Sequence, residues 1–133
     1  MVRKTKSIYK EFNFKKILKS ELTSRSDLEF MCGKLGLKNV KISWLKDYDS
    51  NYSGPQILNL GNNTIGGTHW VAIDNNFYFD SFGITPPPQL EHLQYTPLHI
   101  QNINFGFCGN YCLLWLYYSK MDELDQFYNL FKY

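Results

Sequence analysis

Gln101-Asn-Ile-Asn-Phe-Gly-Phe-Cys108-Gly109-Asn-Tyr-Cys112-Leu-Leu-Trp-Leu116 is the stretch on which the fold turns. An irregular segment containing Asn and Gly gives way at Cys108-Gly109 to an apolar run from Tyr111 to Tyr118. The run is too continuous for a solvent-facing loop, and it predicts a helix from about Gly109 to Lys120. Cys108 then stands at a helix N-terminus, where unpaired N–H groups and the positive end of the dipole favour a thiolate. A thiolate is the nucleophile of a cysteine hydrolase.

Working upstream, Trp70-Val-Ala-Ile-Asp74 and Phe77-Tyr-Phe-Asp-Ser81 flank Asn75-Asn76. Asn tolerates positive φ, so these residues predict a hairpin with a two-residue turn. In that register Asp74 pairs with Phe77, Ile73 with Tyr78 and Val71 with Asp80. Side chains at 69, 71 and 73 share one face, and Asp80 joins them. His69 and Asp80 become diagonal neighbours with Cα atoms roughly 7–8 Å apart, close enough for imidazole and carboxylate to bond. Asp74 points to the opposite face.

The roles follow general triad logic. Cys108 attacks a carbonyl, His69 exchanges the proton, and Asp80 fixes the imidazole tautomer. Gln101 offers its side-chain amide to the oxyanion beside the Cys108 N–H. Gly109 keeps the backbone near the nucleophile uncrowded. Singly, each residue has an ordinary explanation in packing, turns or caps. Their order and the hairpin parity together point to an enzyme. A zinc site from Cys108 and Cys112 at i, i+4 with His92 or His99 is the competing reading, but no second Cys/His pair has ligand spacing, so no metal is expected. Cys112 and Cys32 are expected in the core, and both histidines at the surface.

The chain has 133 residues, 44% of them hydrophobic and 17% aromatic, enough for one domain with a real core and not for two. No apolar run approaches a membrane span. The basic start is followed by no continuous apolar stretch, which argues against a secretory signal. Three cysteines without a disulfide-framework spacing predict a reducing, intracellular setting. Residues 1–20 carry seven basic side chains (Arg3, Lys4, Lys6, Lys10, Lys15, Lys16 and Lys19) against Glu11 alone, a balance of +6, so the remainder carries −4 of the net +2. Such a basic arm is either a nucleic-acid contact or a solvated helix face.

Further elements are predicted along the chain. Residues 4–19 suit a helix, and Ser26-x-x-Glu29 a capping box for a helix closed by Gly36. Val40, Ile42 and Trp44 alternate as a strand, and Ile57 to Leu60 suit another. Pro86 to Pro88 enforce an extended stretch. Gln89 to Gln94 suit a short helix, Leu98 to Ile103 a strand, and Asp122 caps a last helix ending near Phe131.

Gly66-Gly67-Thr68-His69-Trp70, Asp80 in Tyr-Phe-Asp-Ser-Phe-Gly, Gln101 and Cys108-Gly109 resemble, in residues and in order, the adenovirus-type maturation proteases. That group includes the SUMO- and ubiquitin-like-specific proteases and those of virophages and Maverick/Polinton elements. The resemblance covers about residues 57–118. It implies an α+β fold with a mixed sheet packed against a central helix carrying the Cys at its N-terminus. It implies cleavage of capsid or core precursors after small residues such as Gly, with Gly67, Trp70 and Gly109 lining a narrow approach. It also implies DNA or a viral peptide as activator rather than as a cofactor of the chemistry, and a place of action at viral assembly sites or in the virion. A monomer is expected. The chain is shorter than the adenovirus enzyme and its His-to-acid spacing is tighter, so a trimmed hairpin is expected and a groove for a peptide activator need not be retained. The compact size favours a viral or mobile-element protease over a ubiquitin- or SUMO-directed isopeptidase. An inactive nucleic-acid-binding scaffold is the alternative from another class.

Overall fold

A computed structural model describes residues 17, 19–61, 69–100 and 105–131. Its centre is a five-stranded mixed sheet in the order β1-β2-β3-β4-β5. The strands are β1 Lys41–Trp44, β2 Gln56–Asn59, β3 Trp70–Asp74, β4 Phe77–Phe79 and β5 Gln94–Tyr95. The edge pairs β1–β2 and β4–β5 are parallel, and the inner pairs are antiparallel. The helices that accompany it among the described residues include α1 Arg25–Leu35, α2 Cys108–Lys120 and α3 Leu124–Asn129. The architecture is α+β.

The hairpin has the predicted register, Asp74 opposite Phe77, Ile73 opposite Tyr78 and Ala72 opposite Phe79. Asn75 supplies the positive φ, 56°, that lets two residues reverse the chain. Alternation then sorts the side chains onto two faces. Trp70, Ala72 and Phe79 face α2 and join the larger core. Val71, Ile73 and Tyr78 face the other way, where Leu90 and Leu93 cover them. Asp74 points toward α2, and Ser119 donates its hydroxyl to it at 2.6 Å.

The apolar run is helical because it is buried nearly all round. Leu113, Leu114, Trp115 and Leu116 are all buried, and Trp115 stacks on Phe79 with ring centroids 5.5 Å apart. The Trp115 indole N–H donates to the Tyr128 hydroxyl at 3.1 Å, so even this large ring leaves no polar atom unpaired. Gly36 closes α1 at φ 69° as expected, a left-handed C-cap that only glycine adopts without cost.

Several local expectations are corrected. The cap of α1 is Ser24, whose hydroxyl accepts from the Asp27 N–H at 3.1 Å, two residues before the predicted box. Gln89 to Gln94 is no helix: a single 3₁₀ turn, Pro88–Leu90, leads into β5. Of the strand predicted over Leu98 to Ile103, Leu98 to Ile100 form no regular strand and the rest lies outside the described residues; Ile100 donates its N–H to Ser81 O at 2.8 Å. Asp122 does not cap α3: it takes a left-handed conformation at φ 57°, and Glu123 precedes the helix. The predicted helix over residues 4–19 lies outside the described residues except for Ile17, which is fully buried, and the exposed Lys19.

Candidate active site

The N-terminus of α2 abuts the start of β3, and this junction brings Cys108, His69 and Asp80 together. Cys108 is the first residue of α2, with a 3₁₀ turn, Phe105–Phe107, leading into it. Its sulfur accepts the backbone N–H of Trp70 at 3.3 Å. A main-chain donor aimed at sulfur, added to the helix terminus, stabilises negative charge there.

His69 immediately precedes β3, and Asp80 immediately follows β4. The His69 Nε2 lies 2.9 Å from Asp80 Oδ1. The same carboxylate oxygen accepts the Phe82 N–H at 2.8 Å, which fixes its position independently of the imidazole. His69 and Asp80 are only 4% and 5% exposed, so their attraction is little screened. The Phe82 ring lies over the imidazole at 5.0 Å, and His99 meets Phe82 edge-on at 5.7 Å.

His69 Nδ1 is buried without a hydrogen-bond partner of its own, and Cys108 is near enough to act on the ring. Burial is the largest single influence on His69, and it opposes the charged form. The bond to Asp80, the closeness and charge of Cys108, and the Asp80 charge together outweigh it and raise the pKa from 6.5 to about 9. The imidazole is therefore cationic at neutral pH, between a carboxylate and a sulfur.

Burial keeps the other two cysteines as neutral thiols. Burial, with a smaller effect of Glu29, pushes the Cys32 thiol up to about 11. Burial raises Cys112 well above the usual thiol range, the charges of Cys108 and Asp80 adding to it. All three cysteines are free. His92 and His99 are exposed. Among the described residues no group of three His, Cys, Asp or Glu side chains converges as a metal site, and no helix is long and apolar enough to cross a membrane.

Trp70 is 5% exposed, and its indole N–H donates to Thr23 O at 3.0 Å. It thereby joins the start of β3 to the chain entering α1. Gly109 serves packing: a Cβ there would stand 2.6 Å from Leu22 O and 2.9 Å from a Leu28 methyl. Gln101 and Gly67 lie outside the described residues, as do Arg3, Lys4, Lys6, Lys10, Lys15 and Lys16.

Asn110 escaped the sequence reading. Fully buried in the first turn of α2, its Oδ1 accepts the Leu22 N–H at 2.9 Å, and its Nδ2 donates to Ile17 O and Ser20 O at 2.6 and 2.7 Å. It ties Ile17, Ser20 and Leu22 to the start of the helix that carries Cys108. The signal was a carboxamide at the head of an otherwise apolar helix.

No family model, no curated protein and no solved structure matches this chain.

Proposed function

We propose that the chain is a cysteine endopeptidase of the adenovirus-maturation type, which cuts viral capsid or core precursors after small residues such as Gly. The observation that carries this is the His69 imidazole, bonded through Nε2 to Asp80 with Nδ1 left for Cys108. A purely structural histidine in a core spends both nitrogens on packing partners or stays neutral. Here burial is overridden to keep the ring charged beside a sulfur.

In the proposed reaction the Cys108 thiolate attacks the scissile carbonyl carbon and a C–S bond forms. Charge collects on the carbonyl oxygen, which the Cys108 N–H and the Gln101 amide receive. The tetrahedral adduct collapses as the C–N bond breaks, and the His69 imidazolium gives its proton to the leaving amine. Water, deprotonated by His69, then hydrolyses the thioester. Asp80 holds the ring orientation throughout. Cys108 is only 2% exposed, which suits a substrate with no side chain at the bond cleaved. DNA or a viral peptide stands in this proposal as an activator, with the basic N-terminal residues as its contact, and the enzyme works at assembly sites or within the virion.

The test is limiting iodoacetamide at pH 6 followed by mass spectrometry, on wild type and His69→Ala. Single labelling at Cys108 that depends on His69, with Cys32 and Cys112 untouched, supports an activated nucleophile. Equal, slow labelling of all three cysteines, with and without DNA, overturns it. Capsid-precursor processing that survives Cys108→Ala would sink the endopeptidase assignment itself.

A further inference from the structure

Phe82 belongs to neither of the two buried clusters on the faces of the sheet. It is half-buried, and it meets the rings of two histidines: His69 at 5.0 Å with a tilt of 38°, and His99 edge-on at 5.7 Å. Core packing therefore does not account for an aromatic side chain at this position.

The backbone holds this residue in place. Asp80 Oδ1 accepts the Phe82 N–H at 2.8 Å, and Asp80 O accepts the Gly83 N–H at 2.8 Å, which closes a turn over residues 80–83. Gly83 takes φ 70°, and a Cβ there would stand 2.8 Å from the Leu98 carbonyl carbon, so residues 98–100 lie flush on the turn. Ser81 O accepts the Ile100 N–H at 2.8 Å and fixes that contact. One short turn thus presents both a carboxylate and an aromatic ring to His69.

His69 needs both. The χ2 torsion of histidine is broad, so the side chain's own preference does not set the plane of the imidazole. The bond from Nε2 to Asp80 fixes one ring atom at 2.9 Å, but a hydrogen bond tolerates a bend of about 30°. Nδ1 has no hydrogen-bond partner to restrain the other side. A flat ring beside the imidazole limits the rotation that remains, and a separation of 5.0 Å suits an aromatic pair. The ring quadrupole also favours the cationic imidazole.

We propose that Phe82 is a positioning residue: its ring holds the His69 imidazole in the plane that bonds Asp80 through Nε2 and turns Nδ1 to Cys108. The proposal rests on the endopeptidase reading for the purpose of that orientation, but the orientation is measurable without turnover.

The test follows hydrogen exchange of the His69 Nε2–H by nitrogen-15 NMR at pH 6, in wild type, Phe82→Leu and Phe82→Tyr. Both variants keep the residue-82 backbone N–H that bonds Asp80, so only the ring is changed. Phe82→Leu should speed exchange of the ring proton about tenfold, the size of one aromatic or cation–π contact. The backbone N–H groups of β3 should keep their wild-type rates. Phe82→Tyr, which restores an aromatic face, should return the ring proton to within about twofold of wild type. Labelling of Cys108 by limiting iodoacetamide at pH 6 should slow about tenfold in Phe82→Leu, as the imidazolium leaves the sulfur. Unchanged ring-proton exchange in Phe82→Leu overturns the assignment, and so does Cys108 labelling at the wild-type rate. A rise in exchange that β3 shares marks a general loss of stability and also overturns it. So does a Phe82→Tyr variant as fast as Phe82→Leu. Failure of the endopeptidase reading shows separately, as unselective labelling of the wild-type cysteines while the ring-proton results stand.

Discussion

His69 Nε2 sits 2.9 Å from Asp80 Oδ1 across the open end of a hairpin only two residues long at its turn, and both side chains are buried. The pairing makes the charge on His69 depend on two neighbours, Asp80 and Cys108. In an NMR titration His69 should ionise at about 9 in wild type. Cys108→Ala and Asp80→Asn should each lower that value, and Asp80→Asn should lower it further, because the Asp80 bond is the largest of the influences that raise it. A value unchanged in Asp80→Asn would mean that the pair does not hold the proton.

The same shift has a sign in stability. The folded-state value lies above the ordinary 6.5, so the stabilisation is complete below about pH 6.5 and is lost as pH rises through about 9. Thermal melts of wild type and His69→Gln should therefore differ most near pH 6 and converge above pH 9. Turnover should fall over the same alkaline range, because the acid that protonates the leaving amine is gone.

Asn110→Ala removes three hydrogen bonds and leaves the Leu22 N–H buried and unpaired. A loss of about 2–4 kcal/mol is expected by urea unfolding. Asn110→Asp keeps the acceptor for Leu22 but sets a carboxylate against two carbonyls, so it should be no better. A loss below about 0.5 kcal/mol in both variants would show that Asn110 does not hold Ile17, Ser20 and Leu22 to α2.

Two glycines near the site are expected to resist alanine for different reasons. Gly109→Ala drives a methyl into Leu22 O and Leu28, an overpacking cost of about 1–3 kcal/mol. Gly83 has φ 70°, and its Cβ would meet the Leu98 carbonyl at 2.8–2.9 Å. Gly83→Ala should thus displace residues 98–100 from the turn that carries Asp80, and kcat should fall with stability. Circular dichroism melts together with peptide turnover check both.

Gln101→Ala should lower turnover by about 10²–10³-fold while leaving alkylation of Cys108 at its wild-type rate. The amide is assigned to the transition state and not to thiol activation, so a parallel loss of both would remove it from that role.

Local pattern made much of this legible. The hairpin carries its own register, because a two-residue turn and period-two alternation leave one way to pair 70–74 with 77–79. That parity alone places His69 with Asp80 and turns Asp74 away to Ser119. The apolar run likewise declares a buried helix, and Cys108 stands at its start. Short segments rich in Pro and polar residues were misread, since Gln89 to Gln94 owes its shape to Leu90 and Leu93 reaching the far face of the sheet. Asp122 was misread as a cap because its left-handed backbone is set by the turn from α2 into α3.

By itself the sequence determined the elements whose hydrogen bonds close within a few residues: the hairpin, α2, and the common face of His69 and Asp80. Only the tertiary structure decided that α2 starts against β3 with the Trp70 N–H on the Cys108 sulfur, that Asn110 ties Ile17, Ser20 and Leu22 to α2, and that Asn59 keeps a buried donor without a partner. These contacts join residues 38 to 93 positions apart or depend on what fails to approach. No local periodicity encodes them; the mutual fit of packed surfaces does.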